Sequence, residues 1–311
     1  MKNLLITGGS GFLGSHIVEH FAKNQNYNIT VVDLWESEEI KTIKKNNNKI
    51  SFVNIDINNY DELENIIEKN NYLIHMAAIL GTLETIITYD IEDVVRTNVL
   101  GTTKILKLAK KYNYKKIAIP TTPDVTWLNP YKITKMAIEK IAQLFNKEYG
   151  LNVTCLKLGN IYGPRERWLE AKFNAPFNYQ KIIPSFIMDT LANKPITIYG
   201  DGKQKSEYIY VSDVAESFYR LIDKEVNTGT DVVHVGSGIN HSVLDIIDAL
   251  ENVWEKKLKK NFVNMRQGEH KVEINLDPKP LKKYLNYELK FNLTEGLKNT
   301  IPYYLDQFKK S

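Results

Sequence analysis

The sequence predicts an α/β protein, a doubly wound parallel sheet followed by a smaller second lobe. Three observations carry that prediction. Short apolar runs alternate with stretches of helical period from Asn3 to Leu158. The first of these runs leads directly into a glycine-rich turn that opens a helix. After Gly163-Pro164 the elements shorten, and Pro, Gly and aromatic residues increase.

Taken in order, Asn3 to Thr7 is an apolar strand ending in glycines, and Phe12 to Lys23 has helical spacing, with Ile17, Phe21 and Ala22 on one side. Ile29 to Asp33 reads as a second strand. Ile50 to Ile55 reads as a third, after the polar tract Lys44 to Lys49. Asp61 to Lys69 is a helix, Tyr72 to Ala77 a fourth strand, Ile91 to Tyr112 one long helix and Lys116 to Pro120 a fifth strand. Pro130 to Tyr149 is a second long helix, opened by Pro at a first-turn position, and Val153 to Leu158 is a sixth strand. Right-handed crossovers between parallel strands place helices on both faces and ligands beyond the C-terminal strand ends. The expected division is a cofactor-binding domain over residues 1–163, rejoined by parts of 205–240 because Val232 to Val235 reads as a strand, and a substrate lobe over 164–311.

Composition narrows the classes. The net charge of +4, from 41 basic and 37 acidic residues, is too small for a nucleic-acid binder. Arg is scarce (Arg96, Arg165, Arg167, Arg220 and Arg266), which makes each one informative as an anion contact. The single cysteine, Cys155, rules out an internal disulfide and a thiolate zinc cluster, and is expected to be buried in a strand. No metal site is expected. The apolar residues before Gly8 are too few for a signal-peptide core, and no apolar run reaches membrane-spanning length, so a cytoplasmic protein without membrane contact is expected.

Thr7-Gly8-Gly9-Ser10-Gly11-Phe12-Leu13-Gly14 joins the first strand to the first helix. Glycines there let the backbone turn tightly and approach a pyrophosphate, which the N–H groups and positive dipole of the helix N-terminus then receive. Asp33 ends the second strand about 20 residues beyond the last glycine, where a carboxylate accepts from ribose hydroxyls and repels a 2′-phosphate. The expected cofactor is therefore NAD rather than NADP. Tyr131 and Lys135, four apart at the start of a predicted helix, share one face. A tyrosine titrating near ~10 in water becomes a base at neutral pH only if a neighbouring cation and a positive nicotinamide lower that value. The hydroxyls of Thr121-Thr122, at the end of the preceding strand, are placed to hold a substrate oxygen.

With these motifs the chain resembles the extended short-chain dehydrogenases/reductases, in their nucleotide-sugar epimerase/dehydratase group. The resemblance runs through the glycine loop, Asp56-Ile57, His75-Met76-Ala77-Ala78, Thr97-Asn98-Val99 with Gly101-Thr102, Pro130-Tyr131 with Thr134-Lys135, and Asn160-Ile161-Tyr162-Gly163-Pro164-Arg165. Ile198-Tyr199-Gly200-Asp201-Gly202, Tyr210 to Val214, Val235 to Gly238 and Arg266 to Glu269 extend it. The resemblance implies a catalytic triad of Thr122, Tyr131 and Lys135. It implies cofactor contacts from Gly8, Gly11, Phe12, Leu13, Gly14, Asp33, Asp56, Ile57, Ala77, Ala78 and Asn98, besides Tyr131 and Lys135. Substrate contacts are implied for Thr122, Asn160, Tyr199 and Arg266, the last at the diphosphate.

Three positions depart from that pattern. Ser206 stands where the group usually has a phosphate-binding Arg. Pro123-Asp124 stands where its dehydratases carry Asp-Glu, which removes the acid that dehydration needs. Val125-Thr126-Trp127 replaces the usual Val-Tyr-Gly. The expected activity is an NAD-dependent nucleotide-sugar epimerase acting at the 4-position through a keto-sugar, with Tyr131 as base. A nucleotide-keto-sugar reductase is the alternative, and a non-catalytic cofactor-binding scaffold ranks third. The group also implies a homodimer through the two long helices, with Ile133, Ala137, Ile141 and Leu144 as the apolar stripe.

Overall fold

A computed structural model describes residues 1–81, 84–124, 128–166, 181–265, 273–274 and 276–310. In chain order the elements are β1 (Lys2–Thr7), α1 (Phe12–Ala22), β2 (Tyr27–Asp33), α2 (Glu38–Asn46), β3 (Ile50–Asn54), α3 (Tyr60–Ile67), β4 (Tyr72–His75), α4 (Glu84–Ile87) and α5 (Ile91–Val95). A π-helical segment, Arg96–Gly101, leads into α6 (Thr102–Lys111), then β5 (Lys116–Thr121), α7 (Pro130–Tyr149), β6 (Val153–Leu158) and β7 (Asn160–Tyr162). The chain continues through α8 (Ile182–Leu191), β8 (Ile196–Tyr199), β9 (Lys205–Ser206), β10 (Tyr208–Tyr210), α9 (Val211–Asp223), β11 (Val233–Val235) and β12 (His241–Ser242). It ends with α10 (Val243–Trp254), β13 (Lys260–Val263), α11 (Lys279–Leu285) and α12 (Leu293–Lys310).

The chain forms two units. The first comprises Met1–Leu158, Val214–Val235 and Lys279–Tyr287. Its centre is a seven-stranded parallel sheet in the order β11-β6-β5-β4-β1-β2-β3. The strand expected at 232–235 forms its β11 edge, in register with β6. Strands β4, β5 and β6 are buried along their whole length, as a sheet covered on both faces requires. Leu73, Ile117, Ile119 and Cys155 pack with Ile105, Leu106, Ile138, Ala142 and Phe145 in one core.

The second unit comprises Gly159–Asp213, Gly236–Pro278 and Glu288–Ser311. Three strand pairs build it: β7 with β10 and β8 with β13, both parallel, and β9 with β12, antiparallel. Helices α8 and α10 pack on α12. The Glu207 carboxylate accepts from the backbone N–H groups of Ser237, Gly238 and Leu276, holding three loop amides on one buried charge.

Two elements differ from the sequence reading. Helix α2 was not expected, because it buries only Ile40 and so shows little apolar period. Its ends hold it instead: Ser37 Oγ accepts from Ile40 N, Glu38 and Glu39 open the first turn, and Lys44 and Lys45 close the last. The long helix expected over 91–112 is interrupted by the π-helical segment. Thr102 Oγ1 donates to Asn98 O at 2.6 Å and Thr103 Oγ1 to Val99 O at 2.7 Å, satisfying carbonyls that the wider turn loosens. Among the described residues, no helix is long and apolar enough to cross a membrane, and no three His, Cys, Asp or Glu side chains converge as metal ligands.

Candidate active site

The glycine turn after β1 is built backbone on backbone. A Cβ on Gly14 would lie 2.2 Å from Gly8 O, and one on Gly8, at φ +71°, would lie 2.6 Å from Ala77 N. Neither position admits a side chain without moving the chain. Helix α1 begins at Gly11 with no side-chain cap and no acidic residue in its first turn, so its positive end is left for an anion. Leu13 is buried beneath the turn, and Phe12 meets the His16 ring edge-on. At the end of β2, Asp33 Oδ2 accepts from Ser10 N at 2.9 Å, tying the carboxylate to the glycine turn. Asp56 Oδ1 accepts from Asn58 N at 2.8 Å, while Ile57 is buried near Gly101. These residues fit a dinucleotide, with the pyrophosphate at the turn and the adenosine ribose at Asp33.

Beyond β4, Ala77 N donates to Thr7 Oγ1 at 3.3 Å, with Ala78 next in the chain. Asn98 sits fully buried in the π-helical segment. Its Oδ1 accepts from Ile79 N at 2.8 Å, and its Nδ2 donates to Ile79 O at 2.9 Å and Thr134 Oγ1 at 3.0 Å. The amide thus spends these bonds on the 77–79 backbone and on α7, where it acts by placement. His75, which the sequence reading quoted only as part of a motif, links Thr7 Oγ1 at 2.7 Å to Thr102 Oγ1 at 2.9 Å. Burial, followed by the nearby Lys135 charge, pushes this imidazole down to about 3, so it is neutral.

Helix α7 carries Tyr131 and Lys135, the pair expected from the sequence to react. Asn129 Oδ1 accepts from Lys132 N at 2.9 Å, and Pro130 takes the first helical position, so the helix starts just before Tyr131. Lys135 Nζ lies 5.8 Å from the centroid of the Tyr131 ring and donates to Pro120 O at 3.1 Å. Burial pushes the Tyr131 phenol up to about 12 and the Lys135 ammonium down to about 8. Just past β5, Thr122 Oγ1 is buried and, among the described residues, has no hydrogen-bond partner. A buried hydroxyl without a partner costs free energy unless a ligand supplies one.

In the second unit, Asn160 Nδ2 donates to Ser206 Oγ at 2.8 Å, and the Asn160 N–H donates to Glu207 O. Gln204 Nε2 donates to Tyr199 O at 2.9 Å, and its buried Oε1 has no partner among the described residues. The sequence reading gave Gln204 no role; its only signal was its place two residues before Ser206, where the family usually has Arg. Ser206, at the position of the usual Arg, is buried and bound to Asn160. Lys205 beside it faces Glu273 at 3.6 Å. Arg266 and Val125-Thr126-Trp127 lie outside the described residues.

A parallel sheet with a glycine-rich dinucleotide cradle after β1 and a Tyr–Lys pair on the helix that follows β5 fits a cofactor-dependent enzyme that moves a proton and a hydride. Comparison with known proteins places it further. Residues 4–236 match the NAD dependent epimerase/dehydratase family, and the chain belongs to that family. It is 30% identical to the UDP-glucuronate 4-epimerase of Thermodesulfobacterium geofontis, over 97% of this chain and 95% of that one. The crystal structure of the Bacillus cereus UDP-glucuronic acid 4-epimerase, in complex with UDP-glucuronic acid and NAD, aligns at a TM-score of 0.84 with 25% identity, covering 98% of this chain and 99% of that one. The Thermotoga maritima UDP-glucose 4-epimerase, with UDP-glucose, aligns at 0.83 with 26% identity, covering 98% and 99%.

Proposed function

We propose that this chain is an NAD-dependent 4-epimerase of a UDP-sugar. The observation that carries the reading is the Tyr131–Lys135 pair at the start of α7, half-buried at Tyr131 and buried at Lys135, set in a chain whose relatives over nearly full length include 4-epimerases. Bound NAD supplies the acceptor and then the donor of the C4 hydride and, through its positive ring, favours the Tyr131 phenolate. Gly8, Gly11, Phe12, Leu13 and Gly14 hold the pyrophosphate end, Asp33 the ribose, and Asp56 and Ile57 the adenine. Ala77 and Ala78, placed by Asn98, line the wall after β4.

Thr122 Oγ1 holds the substrate oxygen, which gives that buried hydroxyl the partner it lacks among the described residues. Tyr131 removes the C4 hydroxyl proton, keeps it while the sugar is a ketone, and returns it after the ring has presented its other face. Lys135, its ammonium destabilised by burial, gains from a neighbouring phenolate and so lowers the cost of forming it. Asn160, Tyr199 and Arg266 are assigned to the substrate, with Arg266 carrying diphosphate charge that Ser206 cannot.

Two features support the epimerase over elimination of a sugar hydroxyl. Pro123 offers no acid, and Asp124 is engaged by Lys157 at 2.7 Å. The proposal includes a homodimer. Ile133, Met136 and Leu144 are exposed on α7, as are Ile91, Val95 and Leu100 on the preceding helical stretch. Of the expected stripe, Ala137 is half-buried and Ile141 packs on the core, so Met136 takes a larger share of the exposed face. A cytoplasmic location is part of the same proposal and is compatible with Cys155 as a buried free thiol.

The test is to denature the purified protein, identify the released nucleotide, and assay UDP-glucose and UDP-glucuronic acid with their 4-epimers. Stoichiometric NAD and interconversion of one pair, falling at least about 10²-fold in Tyr131→Phe, are expected. Net accumulation of NADH on turnover, or no interconversion of any nucleotide-sugar pair, refutes the reading.

A further inference from the structure

The chemistry above leaves a set of buried charges unused. Lys157, on β6, has a side chain only 5% exposed. Its ammonium lies 2.7 Å from Asp124 Oδ2 and 3.3 Å from Glu139 Oε2. The same Glu139 oxygen accepts from Thr121 Oγ1 at 3.3 Å. These groups come from four places. Thr121 ends β5, Asp124 follows it, Glu139 lies one turn beyond Lys135 on α7, and Lys157 comes from the neighbouring strand.

Such an arrangement is a poor way to gain stability. Taking an ammonium and a carboxylate out of water is costly, and a well-packed apolar group fills the same space at less cost. What a buried pair provides is a fixed geometry, because its energy falls steeply when the partners move apart. The geometry fixed here is that of the turn bearing Thr122. Its Oγ1 has no partner among the described residues, so its position follows from the backbone on either side. That backbone is anchored at Thr121 through Glu139 and at Asp124 through Lys157. Lys135 grips Pro120 O from the same helix.

We propose that Lys157, paired with Glu139, is a positioning residue: it locks the Thr121–Asp124 turn to α7 and thereby sets the Thr122 hydroxyl relative to Tyr131. It touches neither substrate nor cofactor. The kinetic part of the proposal rests on the epimerase reading; the structural part does not.

The experiment compares three variants of the full chain with NAD present. Lys157→Met alone would strand Glu139 as a buried unpaired carboxylate, so the decisive variant is Lys157→Met with Glu139→Gln, which removes both charges of the buried pair and leaves only the exposed Asp124 carboxylate. It is expected to retain NAD and a cooperative melt, and to lose about 10²-fold in kcat with KM within about threefold, since a displacement near 1 Å costs that much. Lys157→Arg keeps the cation and is expected to restore kcat to within about threefold. Asp124→Ala, at the exposed end of the lock, leaves the fold intact whatever the double variant does, and is expected to lower kcat about fivefold at constant KM.

A folded double variant with wild-type kcat, or an Arg variant as impaired as the double variant, overturns the proposal. So does an Asp124→Ala enzyme indistinguishable from wild type. Crystal structures of the wild type and the double variant read the same question without turnover. A shift of about 1 Å between Thr122 Oγ1 and Tyr131 Oη is expected, and an unchanged separation overturns the lock. If the wild type turns over no UDP-sugar, the epimerase reading fails while this structural measurement still decides the positioning role.

Discussion

The two long helical stretches of the first unit, 91–111 and 130–149, look alike in the sequence and are built in opposite ways. Helix α7 is specified locally. Asn129 caps it, Pro130 opens it, and Gly150, at φ +66°, ends it with its N–H on Phe145 O. It runs unbroken for 20 residues between those signals. The stretch from Ile91 to Lys111 starts with a cap of its own, Asp90 accepting from Glu92 N, yet six residues in its middle widen into π-helix. Asn98 sits there because its amide is drawn to Ile79 and Thr134, which lie 19 and 36 positions away in the chain. One helix is held by what its own sequence says. The other is deformed by what it must reach, and it is deformed beside the cofactor cradle, where π-bulges concentrate.

Removing Asn98 is the severest test of that contrast. Asn98→Ala strips three hydrogen bonds, leaving the Ile79 N–H and C=O without them and the Thr134 hydroxyl with only its bond to Tyr131 O. A loss of about 3 kcal/mol is expected in urea denaturation, with weaker NAD retention as the 77–79 segment loosens. Asn146 on α7, whose Nδ2 makes one bond to Val153 O, is the matched control, and its alanine variant should lose about 1 kcal/mol. Equal losses would mean that the π-helical segment is no more dependent on distant partners than α7 is.

The second test uses pH on the same stretch, because His75 bonds Thr102 at the start of α6. Burial holds His75 at about 3 in the folded protein, against about 6.5 unfolded. Below 6.5 the unfolded chain binds a proton that the native one does not, so stability falls as the pH drops from 6.5 toward 3. The decline due to this residue is on the order of 2 kcal/mol by pH 5. Denaturation midpoints of the wild type and His75→Gln, measured from pH 7 to pH 5, should converge as acid is added. Parallel curves would show that His75 does not carry the acid sensitivity.

These two sites also mark where the sequence stopped being legible. Strands, the glycine turn, and the Tyr131–Lys135 spacing were readable because each depends on neighbours within a few residues: apolar alternation, a tight turn, one helical turn. The π-helical segment was not, since Ile91 to Tyr112 reads as one continuous helical pattern. Helix α2 escaped for the opposite reason, having end signals but almost no buried face. In the site, the identity of Thr122 was readable, but the lock of Glu139 and Lys157 around its turn was not. It joins residues from β5, α7 and β6 that only the sheet order brings together. The Gln204 oxygen, without a partner among the described residues, likewise became visible only with the surrounding atoms in place.

The smallest effect is expected at the end of α7, where local specification should be cleanest. A Cβ on Gly150 would meet nothing within 4 Å, so Gly150→Ala creates no clash. Its cost is the backbone alone, about 1 kcal/mol for holding a non-glycine residue in the left-handed region, partly offset by a less flexible unfolded chain. A fall in Tm of about 2 °C with unchanged NAD content is the expected outcome. Gly150→Asn should fall between the two, because asparagine tolerates that conformation better than alanine does. A much larger loss in the alanine variant, or a loss of NAD, would mean that the end of α7 is coupled to the cofactor cradle. The locally specified helix would then be as dependent on distant partners as the one it was contrasted with.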